Sequence, residues 1–273
     1  MNPMTMPLAA GAQAEWRRAQ ARVHGLDLPP SALAHLLGEP AFHAPGSQGA
    51  TGSPTPAPYP LVRVAEETPL FLEGAPARSI YVVQAGNFKT VLTGEDGYEH
   101  VLDFVTRHDV LGCDGLADGH YASGAVALEE SWVFALPAVD LPHLGSQWPQ
   151  FHARWQAAMA RQLARAGEKT WLMATVGAEK RTARFILLHA RRMAEAGQST
   201  RRLHLRMGRR DIASHLGLAH ESVSRSFSML ADMGLLRVDN RDIEIVDSEA
   251  LHNFALCTRG YPEAAPRRRA SAP

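Results

Sequence analysis

The chain has 273 residues, with 28 Lys+Arg against 28 Asp+Glu and only two cysteines. That length exceeds the usual single domain, so two domains are expected, and two cysteines without a CxxC pair exclude a disulfide framework and give no zinc signature. No apolar run approaches the ~20 residues that cross a bilayer, and no basic stretch followed by an apolar core opens the chain, so a soluble cytoplasmic protein with no membrane partner is expected.

The balanced charge conceals an asymmetry. Residues 177–273 hold 17 Lys+Arg and 11 Asp+Glu, a net of +6, which leaves 11 and 17, a net of −6, for residues 1–176. A positive C-terminal part is the electrostatic footprint of a polyanion partner.

Residues 1–60 are rich in Ala, Pro and Gly and read as a poorly ordered extension. Helices are predicted around Ala14–Val23 and, after Pro29-Pro30, around Ser31–Leu37. The Gly/Ser/Pro run from Pro45 to Pro58 cannot bury enough apolar surface to fold alone.

From Leu61 to about residue 147 the pattern changes to short β-like runs: Leu70–Leu72, Ser79–Val83, Lys89–Leu92, His100–Phe104, Ala125–Leu128 and Trp132–Leu136. Glu73-Gly74, Ala85-Gly86-Asn87, Gly94-Glu95-Asp96-Gly97 and Asp118-Gly119 punctuate them. Short strands at this spacing predict a small β-barrel or β-roll.

A long helix is expected within residues 148–176, after Pro149. Gln156, Met159, Leu163, Ala166, Thr170 and Met173 recur at 3-4-3-4-3 spacing, the seam of a two-helix coiled coil. The same spacing suits a helix packed only within its own chain. Trp155 and Leu172 flank the seam and are candidates to face the β-domain.

Residues 177–258 read as a winged helix-turn-helix. A helix is predicted over residues 178–196, ended by Gly197, and then a strand over Leu203–Met207. Ile212, Leu216 and Leu218 surround Gly217, which suits a tight turn between helices. The second helix, from about Glu221 to Met233, places Val223, Phe227, Leu230 and Met233 on one apolar stripe. Gly234 ends it. Leu235–Val238 and Ile243–Val246, joined by Asp239-Asn240-Arg241-Asp242, predict a hairpin wing. The first turn of the second helix carries His220, Glu221, Ser224 and Arg225, polar groups suited to base edges. Arg206, Arg209 and Arg210 are candidates for phosphates, which position without specifying. Residues 259–273, with Arg267-Arg268-Arg269, read as a disordered basic tail.

The order β-roll, long helix, winged helix-turn-helix resembles the CRP/FNR family of bacterial transcription regulators. The resemblance covers about residues 61–256, is strongest at Arg210–Leu236, and leans to the FNR branch at residues 68–74, 79–86, 109–116 and 127–131. It implies an α+β chain: a cyclic-nucleotide-binding-like β-roll, a dimerisation helix and a DNA-binding domain. It also implies a homodimer on double-stranded DNA, with loops of the roll touching RNA polymerase. FNR-type proteins show Glu, then Ser and Arg three and four residues later in the base-reading turn. Glu221, Ser224 and Arg225 repeat that pattern, which implies TTGA…TCAA-like palindromes. His220 is the variable letter.

The sensor departs from the family. FNR's iron–sulfur cluster takes four cysteines, whereas residues 1–60 contain none and Phe134 stands at the β-roll position of the fourth. Cys113 and Cys257 cannot supply four thiolates, so no cluster is expected. The stretch matching the cyclic AMP phosphate site, Gly112 to Gly124, has neither Arg nor Lys, so cyclic AMP is not expected either. Haem is the cofactor candidate left, among histidines such as His100, His108, His120 and His143, although none forms a ligand motif. Cys113 reads as a small hydrophobe, with a redox switch as the alternative.

Rival functions have less support. The chain lacks a Gly-x-Ser-x-Gly, a P-loop or a His-Glu-x-x-His, so no enzyme and no metal site is expected. A ligand-sensing roll whose DNA binding depends on an effector, and a cupin-like module that does not bind DNA, are the alternatives.

Overall fold

The computed structural model describes residues 23–24, 59–174 and 177–256. The helices expected within residues 14–37, the run 45–58, Cys257 and the basic tail lie outside these, apart from Val23, which forms the two-residue strand β1 (Val23–His24). The chain divides into two units, up to Arg165 and from Ala166.

The first unit is a β-roll. β1 is followed by β2 (Leu61–Val64), β3 (Pro69–Phe71), β4 (Ser79–Ala85), β5 (Phe88–Thr93), β6 (Glu99–Val105), β7 (Val110–Leu111), β8 (Gly124–Ala127) and β9 (Ser131–Pro137). All pair antiparallel in two sheets, ordered β1-β2-β9-β4-β7 and β3-β8-β5-β6. The five-stranded sheet buries both faces, which explains its nearly continuous apolar strands. Alternation along β4 and β9 sends Tyr81, Val83 and Val133 inward to meet Phe71, Phe88 and Tyr121. Ile80, Val82, Phe134 and Leu136 go outward to meet Leu144 and Phe151.

Two helices supply that outer layer: α1 (Leu141–Gln147) and α2 (Pro149–Met173). Along α2, Phe151, Trp155 and Ala158 pack on the roll's outer cluster. Gln162 Nε2 donates to the Val110 carbonyl, and the Arg165 guanidinium forks onto the buried Asp109 carboxylate, Nη1 to Oδ2 at 2.7 Å. These five positions are spaced 4-3-4-3, a stripe of their own.

The expected seam is therefore one of two stripes. Gln156, Leu163, Ala166, Thr170 and Met173 are exposed, Leu163 to 76%. Met159 departs from the expectation: it packs against the roll's outer cluster, because it lies beside Trp155 and Ala158. Trp155 faces the roll as expected. Leu172 is buried, but it belongs to the second unit.

In the second unit, α3 (Ala178–Glu195) buries Ala183, Ile186 and Ala190 at helical spacing. Then come β10 (Arg202–His204), α4 (Arg209–Leu216), α5 (His220–Asp232), β11 (Leu236–Asp239), β12 (Asp242–Ile245) and α6 (Ser248–Leu256). The three strands form an antiparallel sheet ordered β10-β12-β11. The wing turn needs only Asn240 and Arg241, since Asp239 already pairs with Asp242. Asn240 takes φ 50°, a conformation Asn tolerates better than most residues.

Three local expectations change. The strand at 202–204 is shorter than predicted, although Leu205 and Met207 are still buried. Met233, the C-cap of α5, is 38% exposed instead of closing the apolar stripe. Helices α1 and α6 are additions to the sequence reading; the Asp247 carboxylate accepts the Ala250 N–H at 2.9 Å and so opens α6 as an N-cap.

Candidate nucleic-acid interface

Two features fix the helix-turn-helix. At its entry, the Gly208 N–H donates to the Asp211 carboxylate at 3.1 Å, and that acid also sits favourably at the positive end of α4. At the turn, Gly217 has φ 59°, and a Cβ there would come within 2.6 Å of Met173 Cε. Gly217 is thus favoured by its backbone conformation, and a Cβ there would displace the flexible tip of Met173. The contact also takes the tip of Met173, one of the seam residues, into the turn. Arg181 Nη1 donates to the Leu216 carbonyl at 3.2 Å, closing the end of α4. Nothing in the sequence around Arg181 signals this role.

With Val223, Phe227 and Leu230 buried, α5 can turn only its other face outward. His220, Glu221 and Arg225 are exposed there, and Ser224 is half-buried. Arg225 Nε donates to its own helix at the Glu221 carbonyl, 3.3 Å away. The turn therefore presents an acceptor carboxylate and a guanidinium one helical turn apart, the pairing that reads cytosine N4 and guanine O6/N7.

The three candidate phosphate residues separate. Arg206 and Arg210 are exposed. Arg209 is half-buried, with its guanidinium 3.6 Å above the Phe227 ring and Nη2 donating to the Asn240 carbonyl at 2.8 Å. The wing adds exposed Arg237 and Arg241, which the sequence alone does not single out. Arg237 pairs with Glu244 at 2.5 Å.

In the roll, the stretch from Gly112 to Gly124 holds a 3-10 turn over Cys113–Leu116. The charged group within that turn is a carboxylate: Asp114 accepts the buried Ser123 hydroxyl at 2.6 Å. Tyr121 stacks on Phe71 at 4.0 Å and donates its hydroxyl to the Ser79 carbonyl at 2.6 Å. Between Gly112 and Gly124 there is no Arg or Lys to offer a charge-assisted partner to a phosphate. Burial, and then the Asp114 charge, push the Cys113 thiol up, which favours its protonated form. Among the described residues, no three of His, Cys, Asp and Glu group as metal ligands, and no helix is long and apolar enough to cross a membrane.

Comparison with known proteins agrees with this architecture. The family model for the Crp-like helix-turn-helix domain matches residues 180–254, and that for the cyclic nucleotide-binding domain matches residues 61–147. The transcriptional regulatory protein btr of Bordetella pertussis is 33% identical over 193 residues, 70% of this chain and 78% of that protein. The fumarate and nitrate reduction regulatory protein of Escherichia coli is 33% identical over 190 residues, 70% of this chain and 76% of that protein. Among solved structures, FixK2 from Bradyrhizobium japonicum superposes with a TM-score of 0.64 at 28% identity, covering 71% of this chain and 96% of that one. A CRP-family transcriptional regulator from Thermus thermophilus shares the fold with a TM-score of 0.59 at 24% identity, covering 71% of this chain and 95% of that one. With a cyclic nucleotide-binding-like roll, a long helix and a helix-turn-helix DNA-binding domain in this order, the chain belongs to the CRP/FNR family, whose members are transcription regulators and not enzymes.

Proposed function

We propose that the protein is a homodimeric regulator that reads TTGA…TCAA-like palindromes through α5 of each protomer. The observation carrying this reading is the outward turn of α5, where Glu221 and Arg225 are exposed over a helix locked by Val223, Phe227 and Leu230. Arg225 pairs bidentately with guanine, Glu221 accepts from the cytosine across from it, and Ser224 lies against a thymine edge. His220 reads the flanking base, while Arg206 and Arg210 take phosphates.

The dimer forms along the exposed stripe of α2. Leu163 at 76% exposure is an apolar residue in search of cover, and Gln156, Ala166 and Thr170 continue its row. Two half-sites about one helical turn apart match such a dimer. The protein acts in the cytoplasm with the DNA, and loops of the roll touch RNA polymerase.

DNA binding requires neither a cyclic nucleotide nor an iron–sulfur cluster, a reading supported by the absence of Arg and Lys between Gly112 and Gly124 and by the cysteine count. The test is Arg225→Ala on a duplex set in which each base of the half-site is changed in turn. The variant is expected to lose roughly 1–3 kcal/mol and to stop discriminating at one guanine. An unchanged preference at every position would refute the base-reading assignment.

A further inference from the structure

Arg209 stands at the first position of α4, next to Arg210, and the two look alike in sequence as phosphate contacts. Their surroundings differ. Arg210 is exposed, whereas the Arg209 guanidinium lies 3.6 Å above the Phe227 ring of α5 and donates to the wing-turn carbonyl of Asn240 at 2.8 Å. One side chain thus meets three elements: the first helix, the recognition helix and the wing.

The partners suit a guanidinium and little else. A planar cation is attracted to a ring face while its in-plane N–H groups remain aimed sideways at a carbonyl. A lysine ammonium offers neither the plane nor the fork. A cation at the N-terminal end of a helix is also opposed by the helix dipole. Arg209 remains half-buried there because the ring and the carbonyl offset that cost.

The contact is made at the wing turn. Asn240 has φ 50°, and its carbonyl is the group that Arg209 holds. Nearby, Arg241 Nη1 donates to the Arg206 carbonyl at 3.4 Å, and the Leu205 N–H donates to the Arg241 carbonyl at 2.8 Å, so the turn is tied to the segment that precedes α4.

We infer that Arg209 is a positioning residue, a strut that sets the wing against the recognition helix, and not a phosphate contact. The inference rests on the DNA-binding reading for its consequence, but its structural half is readable in the free protein. A phosphate contact and a strut make opposite forecasts for salt, because removing a neutralised phosphate lowers the slope of log K against log salt by about one.

Four proteins decide it: wild type, Arg209→Ala, Arg209→Lys and Arg210→Ala. Each is titrated onto the palindrome at several salt concentrations, and amide hydrogen exchange of residues 236–245 is followed without DNA. A strut predicts that Arg209→Ala weakens binding about tenfold with an unchanged salt slope and faster wing exchange. Arg209→Lys, which keeps the charge, should behave as the alanine variant does. Arg210→Ala should lower the slope by about one and leave the wing unaltered. Should Arg209→Ala fail to fold, the lysine variant carries the test. Wild-type affinity and wing exchange in Arg209→Lys, or a slope lower by about one in Arg209→Ala, would overturn the inference. If wild-type protein binds no DNA, the DNA-binding reading fails, and faster wing exchange in Arg209→Lys still establishes the strut.

Discussion

Gly217 and Arg225 stand eight residues apart and represent two kinds of information. Gly217 is constrained by shape. Its φ of 59° disfavours any L side chain, and Met173 Cε occupies the space a Cβ would need. Gly217→Ala should cost about 1–2 kcal/mol in denaturant unfolding, with the low end expected if Met173 swings aside. A cost near zero would show that the turn tolerates a relaxed backbone. Arg225 is constrained by chemistry, and with Glu221 and Ser224 it forms a motif within five residues. Such motifs are legible because all their parts share one helical turn. The role of Arg209 is not legible, since Phe227 lies 18 residues away and Asn240 31 residues away. Only the fold brings them together.

At the scale of elements, α2 illustrates how a heptad pattern underdetermines its partner. Two stripes run along it, one anchored to the roll by Phe151, Trp155, Ala158, Gln162 and Arg165, the other bearing exposed Leu163. Spacing alone assigns Met159 to the second, though it packs with the first. Leu163→Glu should convert the protein to monomers in sedimentation velocity, with the thermal midpoint of the roll little changed, because the side chain is already exposed in one protomer. A dimer that survives this substitution would place the interface elsewhere.

Period and turn signals locate most strands of the roll with ends shifted by one or two residues. β7 escapes them because Val110–Leu111 is too short to show a period.

Helix α3 carries a pH dependence. Burial, and then the Arg192 charge, lower the His189 pKa to about 4, and its ring stacks on Phe185 at 6.0 Å. The unfolded chain therefore takes up this proton near 6.5 and the folded chain only near 4. The stabilising effect of a neutral His189 is complete above 6.5 and is lost as pH falls through that window, on the order of 1–3 kcal/mol. His189→Gln should flatten the melting temperature between pH 6.5 and 4. A variant with the wild-type slope would mean that other groups carry the dependence.

For the whole molecule, the order of parts is readable because each has its own period: two for the roll, about 3.5 for α2, then the helix–turn–helix–hairpin punctuation. The lack of basic residues at the phosphate site is also readable, as an absence of Arg and Lys between Gly112 and Gly124. The structure adds the local packing of that stretch, an Asp114–Ser123 pair beside a stack of Phe71 on Tyr121. The Phe71–Tyr121 stack is invisible in sequence, since its two rings come from separate stretches of chain. The missing cations and the α5 turn are what support the central proposal: a reader of specific DNA that needs no nucleotide or cluster to bind. The direct test is fluorescence anisotropy of the full chain in air, without added ligand, on a TTGA…TCAA palindrome and on a scrambled duplex at one fixed salt concentration. Tight binding to the palindrome, at least about tenfold above the scrambled duplex, is the predicted result. Equal and weak binding to both would contradict the claim.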